Sequence, residues 1–217
     1  MQFRLAASAL ALLASFTTMS APALAQTDRA TDITSEQIQK VLKEYPNSTD
    51  HTLKVVDLGA YQVSVAVVKR GPTRDPNAPP PARPAAAAGA PAPVPCGVTA
   101  MPTGSKPAAP GGISHDFTDE TYIVISGSGT LVTGGEVLNG RRSGPDSEVT
   151  KILNGPSCSG AIVGNYVARV MKVGDISFIP AGVAHGWTNI GTEVTYLSVR
   201  PDPKKVLEHG YVHPAIK

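Results

Sequence analysis

Gly174-Asp-Ile-Ser-Phe-Ile-Pro180-Ala-Gly182-Val-Ala-His185-Gly-Trp-Thr-Asn189 is the stretch whose reading decides the fold. Ile176 and Phe178 alternate with Ser177, the period of a short strand with one apolar face. Pro180-Ala-Gly182 ends that strand, because proline fixes φ and glycine accepts a positive φ, as a tight turn requires. Beyond the turn, Val183, His185 and Trp187 fall on one face of a second short strand. The imidazole is thereby sent inward between two bulky apolar neighbours. A lone histidine in that setting reads as a hydrogen-bonded core residue. His185 has companions upstream.

Those companions lie in Ile113-Ser-His115-Asp-Phe-Thr-Asp-Glu120, with Gly127 following after six more residues. The spacing of Gly174, Pro180, Gly182, His185 and Asn189 resembles the second motif of the cupin superfamily. His115, Glu120 and Gly127 resemble its first motif, in which Ile113 stands where the family has its leading histidine. The resemblance covers roughly residues 54 to 207. It implies an all-β fold, a double-stranded β-helix (jelly-roll) barrel, and specifies fold far more narrowly than function. It also implies a metal site with His115, Glu120 and His185 as ligands.

Two neutral imidazoles and one carboxylate suit one divalent transition metal, of which Mn, Fe, Ni, Zn and Cu are the options. Such a site carries a net charge of about plus one and leaves coordination positions open. It therefore favours a small, oxygen-rich organic molecule as ligand or substrate. Tyr122 and Trp187 alternate inward and are expected either to line that cavity or to fill the core. Two classes of function stay open. One is a metal-dependent enzyme, an oxygenase, isomerase, lyase or decarboxylase. The other is a non-catalytic cupin that binds a ligand or serves structurally around a vestigial site. The sequence holds no nucleophile elbow, phosphate loop or dinucleotide fingerprint.

Residues 1 to 25 read as a signal peptide: Arg4 supplies the positive region, Leu5 to Phe16 the short apolar run, and Ala23-Leu-Ala25 the cleavage site. The mature chain is expected to begin at Gln26 in the periplasm or outside the cell, with no membrane association after cleavage. The whole chain has 19 basic and 17 acidic side chains, and Arg4 is the leader's sole charge. That near-balance, without a basic cluster, argues against nucleic acid as a partner.

Residues 26 to 52 are expected to hold one helix and a linker. Thr34 caps the helix, Gln37 completes a capping box, and Ile38, Val41, Leu42 and Tyr45 form its apolar stripe up to Pro46. Such a helix packs on the outside of a barrel or at the contact of a homodimer. The barrel is expected over 53 to 207, beginning with a strand from Leu53 to Lys69 whose Tyr61, Val63, Val65 and Val67 alternate with Gln62, Ser64 and Ala66. Residues 71 to 112 hold 12 of the 20 prolines and an alanine run. They read as a disordered Pro/Ala-rich insertion.

Thr121–Ile125 and Thr130–Thr133 suggest a hairpin around Gly127-Ser-Gly129. Asn139 to Gly160 reads as irregular, Ile162 to Val173 as strand, and Glu193 to Arg200 as the closing strand. Residues 208 to 217 read as a polar tail, His209 and His213 as tail residues, and His51 as a loop residue. Cys96 and Cys158, one in each irregular stretch, are expected to pair as a disulfide in an oxidising compartment.

Overall fold

The structure, a computed structural model, describes residues 29–74 and 92–217; the signal-peptide reading and the core of the Pro/Ala-rich segment lie outside them. Helix α1 (Ser35–Glu44) is followed by strands β1 (Asp50–Asp57), β2 (Gln62–Arg70), β3 (Pro95–Cys96), β4 (Lys106–His115), β5 (Glu120–Thr133) and β6 (Glu136–Arg142). A π-helical turn (Val149–Leu153) leads to β7 (Ser157–Gly164), β8 (Val167–Lys172), β9 (Ile176–Ile179), β10 (His185–Thr188) and β11 (Val194–Asp202), and a 3₁₀ turn (Pro214–Ile216) ends the chain. The named strands pair antiparallel in the order β1-β2-β11-β5-β10-β4-β7-β6-β3, with β8 and β9 also on β5. This is the double-stranded β-helix expected from the two motifs.

β5 organises the barrel by belonging to both of its sheets. Its first half pairs with β11 and β9, its second half with β10 and β8. Here the expected hairpin is corrected, because Gly127 and Gly129 bend one continuous strand instead of reversing it. Gly127 has φ +68°, and a Cβ there would stand 2.0 Å from the Glu193 carbonyl oxygen. The register against β11 slips beside it, between Thr195 and Tyr196, as at a β-bulge. Glycines in a strand mark bulges as readily as turns, so the local sequence signal was ambiguous.

Other expectations change in similar ways. Residues 53–69 form a hairpin, β1 and β2, rather than one strand, with Leu58 and Tyr61 exposed at its turn. The face of β2 that enters the barrel is Gln62, Ser64 and Ala66; Val67 points outward but is buried beneath α1 together with Val41, Leu53 and Ala215. The apolar face read for Ile176 and Phe178 in β9 is turned outward. Ile179, in register with Glu120, is buried, while Phe178 is 78% exposed and Ile176 48%. β3 and most of β4 fall inside the supposed insertion, and β6 and β7 take the two ends of the stretch read as irregular, which places Cys158 in a strand. The segment read as one strand from Ile162 to Val173 is divided between β7 and β8.

α1 begins as its capping box requires: Thr34 Oγ1 accepts from Gln37 N–H, and Gln37 Oε1 accepts from Thr34 N–H. The last residues are not a free polar tail. Val55 N–H donates to Tyr211 O and His213 N–H to Leu53 O, which lays the C-terminus along β1. His51 sits in β1, buried, and His213 is buried as well. Cys96 and Cys158 are joined, 62 residues apart in sequence, and tie the two-residue β3 over the outer face of β7.

Candidate metal centre

The turn after β9 fixes the two motif segments against each other. Gly182, at φ +82°, donates its N–H to His115 O at 2.7 Å, and Ala181 N–H donates to Asp119 Oδ1 at 2.8 Å. β10 then runs between β4 and β5, with His185 in register with Ile113 on one side and Thr133 on the other. Opposed residues of an antiparallel pair share a face, so His185 enters the same interior as the inward residues of β5. Glu120, Tyr122 and Val124 all point there and are buried.

His115, Glu120 and His185 come together at 2–3% exposure, with one ligand atom from each within 4.8 Å of the others. Glu120 Oε2 is 3.2 Å from His115 Nε2 and 2.8 Å from His185 Nε2. The far side of each ring settles its tautomer. His185 Nδ1 donates to Val183 O at 2.9 Å. Ser157 Oγ gives its proton to Gly155 O at 2.8 Å, so it accepts from His115 Nδ1 at 2.9 Å. In these tautomers both Nε2 lone pairs converge on a carboxylate oxygen, so three acceptors face one point. His185 Nε2 accordingly has no hydrogen-bond partner among the described residues. Rings held through Nδ1 with bare Nε2 atoms facing a carboxylate are a donor set that a divalent transition metal fits.

The opposite side of Glu120 was missed by sequence reasoning. Arg200 Nε donates to Glu120 Oε1 at 2.8 Å, and Ser198 Oγ donates to the same oxygen at 2.8 Å. Arg200 spans further, with Nη2 2.6 Å from Asp50 Oδ2 and Nη1 donating to Leu153 O at 3.0 Å. The alternation Tyr196, Ser198, Arg200 carries the signal, but an arginine beside Pro201 reads as the end of a strand. Tyr122 OH donates to Glu120 Oε2 at 2.9 Å.

Burial by itself would push the Glu120 carboxyl up; the Arg200 guanidinium acts against it, and the group is held well below the usual carboxylate range. Burial, and then the Glu120 charge, push the Tyr122 phenol well up, so it stays a donor. Burial lowers His115, against the opposing pull of Glu120, and keeps its ring neutral.

Ile113 adds no ligand and presents an apolar wall beside His185. Tyr122 touches Glu120 directly. Trp187 does not, because it stacks on Tyr196, ring centroids 5.2 Å apart, as part of the core. Its indole Nε1 has no partner among the described residues.

No family model matches the chain, and no curated protein matches it either. Solved structures with a similar chain course include one from Bacillus halodurans at 12% identity, covering 87% of this chain and 92% of that one, with a TM-score of 0.38. An uncharacterized conserved protein with a double-stranded β-helix domain from Klebsiella pneumoniae shares 16% identity, 76% and 89% coverage and a TM-score of 0.36. An oxalate oxidase shares 16% identity over 72% of this chain and 53% of its own, with a TM-score of 0.32. At such identities and TM-scores these likenesses assign neither activity nor ligand. Strand order and the converging His115, Glu120 and His185 define the class: a double-stranded β-helix barrel with a donor set for one metal ion. That double-stranded β-helix is the fold which the resemblance of the two sequence motifs implies.

Proposed function

We propose that the protein is an exported metal-binding protein that holds one divalent transition metal through His115 Nε2, Glu120 Oε2 and His185 Nε2. The observation that carries this reading is the convergence of two imidazole lone pairs on a carboxylate oxygen with both Nδ1 protons already engaged. A bound ion would act as a Lewis acid toward a small, oxygen-rich organic ligand such as a carboxylate. The chain's own residues supply the setting. Arg200 and Ser198 occupy Oε1, which turns Oε2 toward the imidazoles, and the Tyr122 hydroxyl, 2.9 Å from Oε2, donates its proton there. Export rests on the leader-like residues 1 to 25, and an intact mass beginning at Gln26 tests it.

A second reading, a metal site that serves stability and not turnover, is favoured by the near-complete burial of all three ligand residues. The Tyr122, Tyr196 and Trp187 rings also pack together beside them.

Metal content of protein purified without chelators tests the shared core of both readings. One ion per chain is expected, and chelator should lower the melting temperature, since the unfolded chain cannot assemble the ligands. Glu120→Gln and His185→Ala should lose the ion and the chelator effect, while Lys40→Ala, on the exposed face of α1, retains both. A wild type that holds no stoichiometric metal and takes up none of Mn, Fe, Ni, Zn or Cu would overturn the proposal. Chelator-sensitive turnover of a small carboxylate would decide for the enzyme, and a bound metal without turnover for the structural role.

A further inference from the structure

Three aromatic side chains meet where the C-terminus crosses β1, far along the chain from the metal ligands. The His213 ring lies edge-on to Tyr45 at a centroid distance of 4.8 Å and to His51 at 5.6 Å, and Tyr45 and His51 are 6.1 Å apart. Both histidines are buried. Their protons are assigned by their partners. His213 Nδ1 accepts the Ala215 N–H at 3.2 Å, capping the 3₁₀ turn, so this nitrogen must be bare. His51 Nε2 donates to Ser48 O at 3.1 Å.

We propose that this cluster is an acid-released latch for the C-terminal segment 211–217. Protonating His213 places a hydrogen on Nδ1, where it meets the Ala215 N–H donor to donor. The cap is lost and a buried amide is left without an acceptor. The new charge also faces the His51 ring from β1 and the Tyr45 ring from α1. From β2 the apolar Val67 packs in the same cluster as Ala215. Burial and His51 act against the protonated ring and outweigh Glu44, at the end of α1, which favours it, so the His213 ring titrates below the usual histidine range.

The segment has little else to hold it. Val55 N–H to Tyr211 O and His213 N–H to Leu53 O join it to β1, and Ala215 and Ile216 cover Val41 and Leu53. Release would uncover that apolar seam while leaving the strand order of the barrel unchanged. The device is independent of the metal reading.

Hydrogen exchange on the full chain tests the latch, read as protection factors so that the intrinsic effect of pH is removed. Between pH 7.5 and pH 5 the amides of Val55, His213, Ala215 and Ile216 should lose at least tenfold in protection, while those of β5 and β11 keep theirs. His213→Asn retains a side-chain oxygen that can cap and does not titrate, so it should hold the segment closed at both pH values. Equal protection of the wild-type segment at both pH values would overturn the latch, as would equal acid release in His213→Asn. Where His213→Asn fails to close at any pH, the wild-type ring decides by NMR titration. Release must share its midpoint with protonation of His213 Nδ1, and release while that ring is still neutral sinks the proposal.

Discussion

Arg200 and Glu120 form an ion pair inside the barrel, Nε to Oε1 at 2.8 Å, with both side chains 1% exposed. Asp50 takes the other end of the guanidinium at 2.6 Å, so one cation serves two carboxylates. Arg200→Met leaves Glu120 buried without its countercharge, and breaking such a pair is expected to destabilise by about 3–5 kcal/mol at pH 7. The sign of the pH dependence follows from the depressed Glu120 carboxyl. A depressed acid contributes stability above its unfolded value, roughly pH 4.3, and loses it as pH falls further. Urea titrations from pH 7 down to 3 should therefore show the wild type losing its advantage over Arg200→Met. A gap that stays constant across that range would contradict the pairing.

Ile113 faces His185 across the β4–β10 ladder. Ile113→His supplies a third imidazole at the position where the resemblance expects one. Metal affinity should rise by at least tenfold in competition with a chelating dye, and an open coordination position should be filled. Unchanged affinity would mean that the wall beside His185 does not reach the ion.

Gly127 sets the bend of β5. Gly127→Ala forces a Cβ into the Glu193 carbonyl at a positive φ, and neither strand can retreat without breaking the ladder. The expected loss is about 2–4 kcal/mol, above the usual range for a surface substitution. Gly134→Ala has a similar φ but open space around its Cβ, so it should lose about 1 kcal/mol. Equal melting temperatures for the two variants would refute the role assigned to the bend.

The Cys96–Cys158 bond closes a loop of 62 residues. Chain-entropy reasoning gives its removal a loss of about 4 kcal/mol. The double variant Cys96→Ala/Cys158→Ala should unfold at correspondingly lower denaturant, with β3 the first strand to lose amide protection. Its metal content should be unaffected, because β3 touches none of His115, Glu120 or His185.

The barrel and the three converging residues were legible because the two motifs constrain turns. Pro180 and Gly182 had to end a strand, and alternation then sent His185, Glu120 and Tyr122 inward. Direction was misread where burial comes from a partner distant in sequence. Val67 is covered by α1, and Gln62 and Ser64 point inward, because the barrel end they line is polar and holds Arg200 and Asp202. Phe178 belongs to the apolar face of the β9 alternation, yet the register of β9 against Glu120 turns it out. His213 looked like tail for a similar reason: the rings it packs against, Tyr45 and His51, stand well over a hundred residues earlier.

β11 lies between β2 and β5, and it is the last strand of the chain. Until residue 202 has left the ribosome, β2 has no neighbour on that side and the first half of β5 lacks half of its pairing. Arg200, which answers the buried charge of Glu120, arrives on the same strand. The barrel therefore cannot close until β11 has emerged, and long-range pairing of this kind folds slowly. Closure of the barrel is thereby withheld until β11 is available, a delay written into the order of the strands themselves.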